Sequence, residues 1–207
     1  MIPVEKVDLK RWRPYIIWAA ITLSIKAISP AFSGLKGSLS ALFTGILLLY
    51  ATFIYYWFSG KEMTFLRMVS GKRSLLWFAG LALLSSSAYG LTVKIFTGHL
   101  DLQKLHLLSG TPSLHFWSSS LLLTSLPEEL FFRGFLFDHV EGRPALKIVV
   151  TALLFCGTHI AVSFTPIRLM TVIPGLLLGF LREKTGEVYT PVLLHTLFNM
   201  VHWTIGL

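Results

Sequence analysis

Pro127-Glu128-Glu129-Leu130-Phe131-Phe132-Arg133-Gly134 places three charged side chains inside a run that otherwise reads as membrane-buried. Leu121, Leu122 and Leu123 precede it, and Phe135, Leu136 and Phe137 follow it. An ionisable group at the centre of a membrane helix costs about 2.5–3.5 kcal/mol on insertion scales. Three so close together are tolerated where they pair, face a wet cavity or do chemistry. Two later apolar segments repeat the pattern with polar groups: His159 in one, His195 with Asn199 in the last. Carboxylate, imidazole and amide groups on three hydrophobic helices point to an enzyme site built inside a membrane protein.

The rest of the chain supports the membrane reading. It has 207 residues, of which 54% are hydrophobic and 14% charged, with a mean hydropathy of +0.68. A soluble domain carries about 25% charged residues. Leu39–Phe58 and Ser74–Val93 are each 20 residues without a charge, long enough to cross a bilayer. Ile148–Ile167 holds His159 as its one ionisable group, Val188–Leu207 holds histidines alone, and Leu114–Phe137 carries the Glu/Arg cluster. Tyr15–Phe32 is interrupted by Lys26, and Leu169–Leu181 spans if Arg168 and Arg182 snorkel from its ends. The expected fold is therefore an all-α, polytopic transmembrane bundle of about seven spans. The basic start of the first segment resembles a signal peptide, but no small-residue cleavage site stands out, so a retained helix is expected.

The net charge of +8 does not imply a nucleic-acid partner, because the basic residues sit at helix ends rather than on one soluble face. With seven spans and an inner N-terminus, segments 1–14, 59–73, 139–147 and 182–187 hold twelve Lys and Arg, against three (Lys36, Lys104, Arg168) on the outer side. The positive-inside rule then makes the chain N-in and C-out. Tyr55, Tyr56, Trp57, Trp77, Trp117 and Trp203 lie near span ends, where an aromatic belt belongs. Segment 59–73 alternates charged and bulky apolar residues and reads as a short interfacial helix. Cys156, alone of its kind, reads as a small buried hydrophobe.

The chemistry is concentrated in 113–207; residues 1–112 read as accessory helices without a catalytic constellation. Glu129 and Arg133 are four apart in the favourable order and pair within one helix. Glu128 lies about 100° round from Glu129 and has no partner in that geometry. A carboxylate in low dielectric beside a second carboxylate suits a general base. Gly134, Gly157 and Thr158 are small enough for close helix approach. Phe155 and His159 share a helix face, as do His195 and Asn199. A histidine one turn from an asparagine suits a pair of oxyanion donors. His202 continues that face nearer the end of the span, while His99, His106, His115 and His139 receive no role. Glu128, His159 and His195 also make a His₂Glu set of the zinc-hydrolase type. No His-Glu-x-x-His is present, and the three residues come from separate segments.

Glu128-Glu129-x-x-x-Arg133, Phe155-x-x-x-His159 and His195-x-x-x-Asn199, in this order on separate hydrophobic segments, resemble the CPBP family. These are the CAAX-protease and bacteriocin-processing intramembrane proteins, with the Rce1-type prenyl-protein endopeptidases and the myxosortase-like sorting proteases among them. The tract Gly175–Gly186 is similar to the family's segment before its last motif. The resemblance implies a glutamic-type intramembrane endopeptidase without a cofactor. Glu128 with His159 would activate water, His195 and Asn199 would form the oxyanion hole, and Glu129 and Arg133 would support them. The implied substrate is a membrane-embedded or lipid-anchored protein or peptide. The small size fits a compact prokaryotic member in the cytoplasmic membrane. Two other classes use the same residues. One is a non-catalytic membrane scaffold that holds a peptide, of the immunity type. The other is a transporter with a proton relay, against which stands the lack of an internal repeat.

Overall fold

Long apolar runs with few interior breakers make helices, and the computed structural model, which describes residues 9–32, 37–67, 71–97 and 114–205, has no strand among them. Seven long helices carry the fold among the described residues. They are α1 (Leu9–Phe32), α2 (Gly37–Ser59), α3 (Gly71–Thr97), α4 (114–139), α5 (Pro144–Val162), α6 (Val172–Thr185) and α7 (Tyr189–Ile205). The architecture is the expected all-α bundle. Two helical segments, Ala41–Ser59 and Pro144–Val162, are long and apolar enough to cross a membrane by length and composition. Residues 98–113, with His99 and His106, lie outside the described residues, as do the side chains of His202 and Trp203.

Helix α4 is continuous but not uniform. Two stretches, Ser120–Ser125 and Leu130–Leu136, are wound as π-helix, on either side of the α-helical turn Leu126–Glu129. In the first, the Leu126 N–H bonds to the Leu121 carbonyl five residues back. Pro127 has no N–H to give. Such wide turns concentrate at functional sites, and here they flank both glutamates.

Small residues set how closely the other helices approach α4. A Cβ at Gly45 of α2 would lie 2.5 Å from the Leu123 carbonyl oxygen. A Cβ at Gly134 would lie 2.8 Å from the Phe65 ring. Phe65 belongs to a turn, Thr64–Leu66, and is fully buried in a core with Leu48, Tyr56, Leu130, Phe131, Phe135 and Phe155. The interfacial helix expected over 59–73 is thus replaced by this turn. Phe65 fills the groove over Gly134. The Phe65 carbonyl accepts from Val188 N–H at 3.1 Å, and the Leu66 carbonyl accepts from the Tyr189 hydroxyl at 3.0 Å, which ties the turn to the start of α7. Tyr56 likewise turns inward, 5.5 Å from Phe65, whereas Trp57 is 84% exposed.

Helix α6 begins and ends a few residues later than its expected span. Gly175 and Gly179 seat it on Ala152 and Ile148 of α5. Arg182 does not snorkel: it is 7% exposed, because Asp138 and a backbone carbonyl receive it inside the protein. Gly186 ends α6 in the left-handed conformation at φ 77°. Buried Glu187 then caps α7, accepting from Tyr189 N–H at 2.5 Å and Thr190 N–H at 3.2 Å. This cap fixes where α7 starts, and so where His195 and Asn199 fall.

Candidate active site

The pairing expected from spacing is present. Arg133 Nη1 donates to Glu129 Oε1 at 3.0 Å, with both side chains completely buried. A guanidinium without water needs more than one acceptor. Nη2 takes a second, the Gly175 carbonyl of α6, at 3.1 Å, and the guanidinium lies over the Phe155 ring at 4.5 Å. Arg133 thereby joins three helices at one point.

The same Glu129 oxygen meets His195 Nδ1 at 2.8 Å. A carboxylate paired with arginine only accepts, so Nδ1 carries the hydrogen. The other ring nitrogen, Nε2, points at Glu128 and lies 3.9 Å from its Oε2. That Oε2 is buried and makes no hydrogen bond to a described residue. His195 is therefore held between the two glutamates, bonded to one and facing the other.

His159 joins through aromatic contact. Its ring centroid is 4.4 Å from that of Phe155, which is 5.8 Å from His195. His159 Nδ1 lies 2.9 Å from the Phe155 carbonyl. A carbonyl also only accepts, so this nitrogen is the N–H and the Nε2 lone pair is left for chemistry. Arg168 Nη1 donates to the His159 carbonyl at 3.0 Å and closes the end of α5. On the far side of α5, Trp18 Nε1 donates to Thr158 Oγ1 at 2.9 Å, beside Gly157, so α1 braces the His159 turn. Asn199, one turn after His195, donates to Ser120 and Ser125 on α4.

Glu128, Glu129, Arg133 and His195 thus form one cluster, with His159 and Asn199 at its edges. Among the described residues no three His, Cys, Asp or Glu side chains stand close enough to hold a metal ion, so Glu128, His159 and His195 do not gather as a ligand set. Sequence reasoning missed Ser120, Ser125 and the Arg182–Asp138 pair. The two serines carry a signal in their spacing of five, which matches a π-turn rather than an α-turn.

Residues 110–201 match the model of the type II CAAX prenyl endopeptidase, Rce1-like family. The match runs from before α4 to the last turns of α7 and contains Glu128, Glu129, Arg133, His159, His195 and Asn199. No curated protein and no solved structure matches the chain. The family takes its description from prenyl endopeptidases, which hydrolyse peptide bonds.

Proposed function

We propose that the chain is a multi-pass intramembrane endopeptidase of the glutamic type. It hydrolyses a peptide bond of a membrane-anchored or lipidated protein or peptide, in the cytoplasmic membrane of a prokaryote. The helices of 113–207 form the catalytic core, those of 1–112 are accessory, and the chain lies N-in by its charge distribution.

One observation carries the reading. A buried carboxylate oxygen, Glu128 Oε2, has no hydrogen-bond partner among the described residues and faces an imidazole held by a second carboxylate. Leaving such an acceptor unpaired is costly, unless a partner arrives in function. Water is that partner here. Glu128, with the Nε2 lone pair of His159, takes a proton from water as its oxygen adds to the scissile carbonyl carbon. The carbonyl oxygen becomes an oxyanion, stabilised by the Asn199 amide and by His195, which donates through Nε2 in the form that carries a hydrogen on both ring nitrogens. The tetrahedral centre collapses, the C–N bond breaks, and the proton held by Glu128 passes to the leaving amine. Glu129 fixes the orientation of His195, and Arg133 fixes Glu129. No cofactor enters these steps.

The test is cleavage by purified, detergent-solubilised protein of a library of membrane-anchored and prenylated peptides, followed by mass spectrometry with and without a strong chelator. Cleavage indifferent to chelator is expected, and its sequence preference gives the substrate class. Cleavage lost to chelator and restored by zinc overturns the metal-free mechanism. Tight peptide binding with no cleavage of any library member overturns the protease reading in favour of a scaffold.

A further inference from the structure

Helices α4 and α7 meet through two polar rungs, and the second is not explained by the motifs. Asn199 Nδ2 lies 3.3 Å from Ser120 Oγ and 3.3 Å from Ser125 Oγ. An amide NH₂ has two hydrogens, so each serine takes one. Ser120 is 7% exposed and Ser125 is fully buried. Nearby serines bond back into their own helix, Ser118 to the His115 carbonyl and Ser119 to the Phe116 carbonyl, each at 3.1 Å. Ser120 and Ser125 instead turn across to α7. Residues five apart on an α-helix point about 140° apart and do not reach one amide. The π-turn Ser120–Ser125 brings them to one side, since its hydrogen bonds run five residues back.

The order of the rungs follows from antiparallel packing. Ser120 and Ser125 face Asn199, and three residues later Glu128 and Glu129 face His195, one turn earlier on α7. We propose that Ser120 and Ser125 are positioning residues which hold the Asn199 amide as an oxyanion donor, and that the π-turn exists to bring both to it. This rests on the reading of Asn199 given above. The substrate oxygen takes one amide hydrogen from a serine while the other serine keeps the amide in place.

Two measurements test it. In the peptide-cleavage assay, Ser120→Ala/Ser125→Ala is expected to lower kcat about tenfold, less than the 10²–10³ lost with an oxyanion donor itself, with KM unchanged. In an Asn199→Ala background the same pair is expected to cause no further loss, and Ser125→Thr, which keeps the hydroxyl, restores most of kcat. An unchanged kcat, or an equal loss with and without Asn199, overturns the proposal. The second measurement needs no activity: hydrogen exchange of the Asn199 side-chain amide by ¹⁵N NMR in detergent. Both hydrogens are expected to be protected, with one losing protection in each single serine variant. Solvent-rate exchange in the unsubstituted protein overturns the serine contacts. A protein that cleaves nothing yet shows this protection sinks the protease reading and leaves the clamp standing.

Discussion

Glu129 accepts from His195 and Arg133 through a single oxygen, Oε1, at 2.8 and 3.0 Å. One carboxylate thus locks α7 to α4, while Oε2 of its neighbour Glu128 makes no hydrogen bond among the described residues and lies 3.9 Å from His195 Nε2. Two adjacent glutamates have different partners because only one of them lies a helical turn from an arginine.

Removing Arg133 is expected to unfold the site rather than merely slow it. Arg133→Leu leaves Glu129 charged and buried without its cation, and breaking a buried pair costs about 3–5 kcal/mol. Arg133→Lys keeps the charge but loses the geometry that reaches both Glu129 and the Gly175 carbonyl. Thermal unfolding in detergent checks both, with Leu expected to lie below Lys and Lys below the unsubstituted protein. Equal stability of all three contradicts the pairing.

Two glycines separate a hard from a soft clash. Gly45→Ala sets a methyl against the Leu123 backbone carbonyl, which cannot move without unwinding the first π-turn. Gly134→Ala meets the Phe65 ring, a side chain of the Thr64–Leu66 turn. Overpacking costs about 1–3 kcal/mol. Both variants are expected to lose stability, and Phe65→Leu is expected to recover part of the loss for Gly134→Ala and none for Gly45→Ala. Unfolding midpoints of the two double variants decide it.

Arg182 holds the second π-turn. Its Nε donates to the Arg133 carbonyl and its Nη2 to Asp138, both at 2.9 Å. Arg182→Lys is expected to keep the attraction to Asp138 and lose the Arg133 contact, lowering kcat about tenfold for a displaced Glu129–His195 pair with modest change in stability. A full kcat with the substitution in place contradicts this role.

The i, i+4 spacing made Glu129–Arg133 and His195–Asn199 legible from residues alone, because a helix fixes which side chains share a face. Gly157 and Thr158 were legible as a contact, and Trp18 of α1 fills it. What crossed between helices was not. Nothing local says that Arg182 bonds the Arg133 carbonyl 49 residues away, so its charge reads as the end of a span. The turn at Phe65 was hidden for the same reason, since its alternation of charged and bulky residues fits a membrane surface as well as a groove. The π-turns elude a reading based on 3.6 residues per turn, which sends Ser120 and Ser125 to different faces.

Glu128 is the central claim. Single-turnover cleavage of the best library peptide by the unsubstituted protein and by Glu128→Gln tests it most directly, with circular dichroism and unfolding midpoint showing that both are folded. A general base contributes about 10²–10⁴ in rate, so Glu128→Gln is expected to lose at least about a hundredfold in kcat with its fold intact and peptide binding retained. Cleavage by Glu128→Gln at the unsubstituted rate would contradict the account, since the unpartnered carboxylate would then not be the group that activates water.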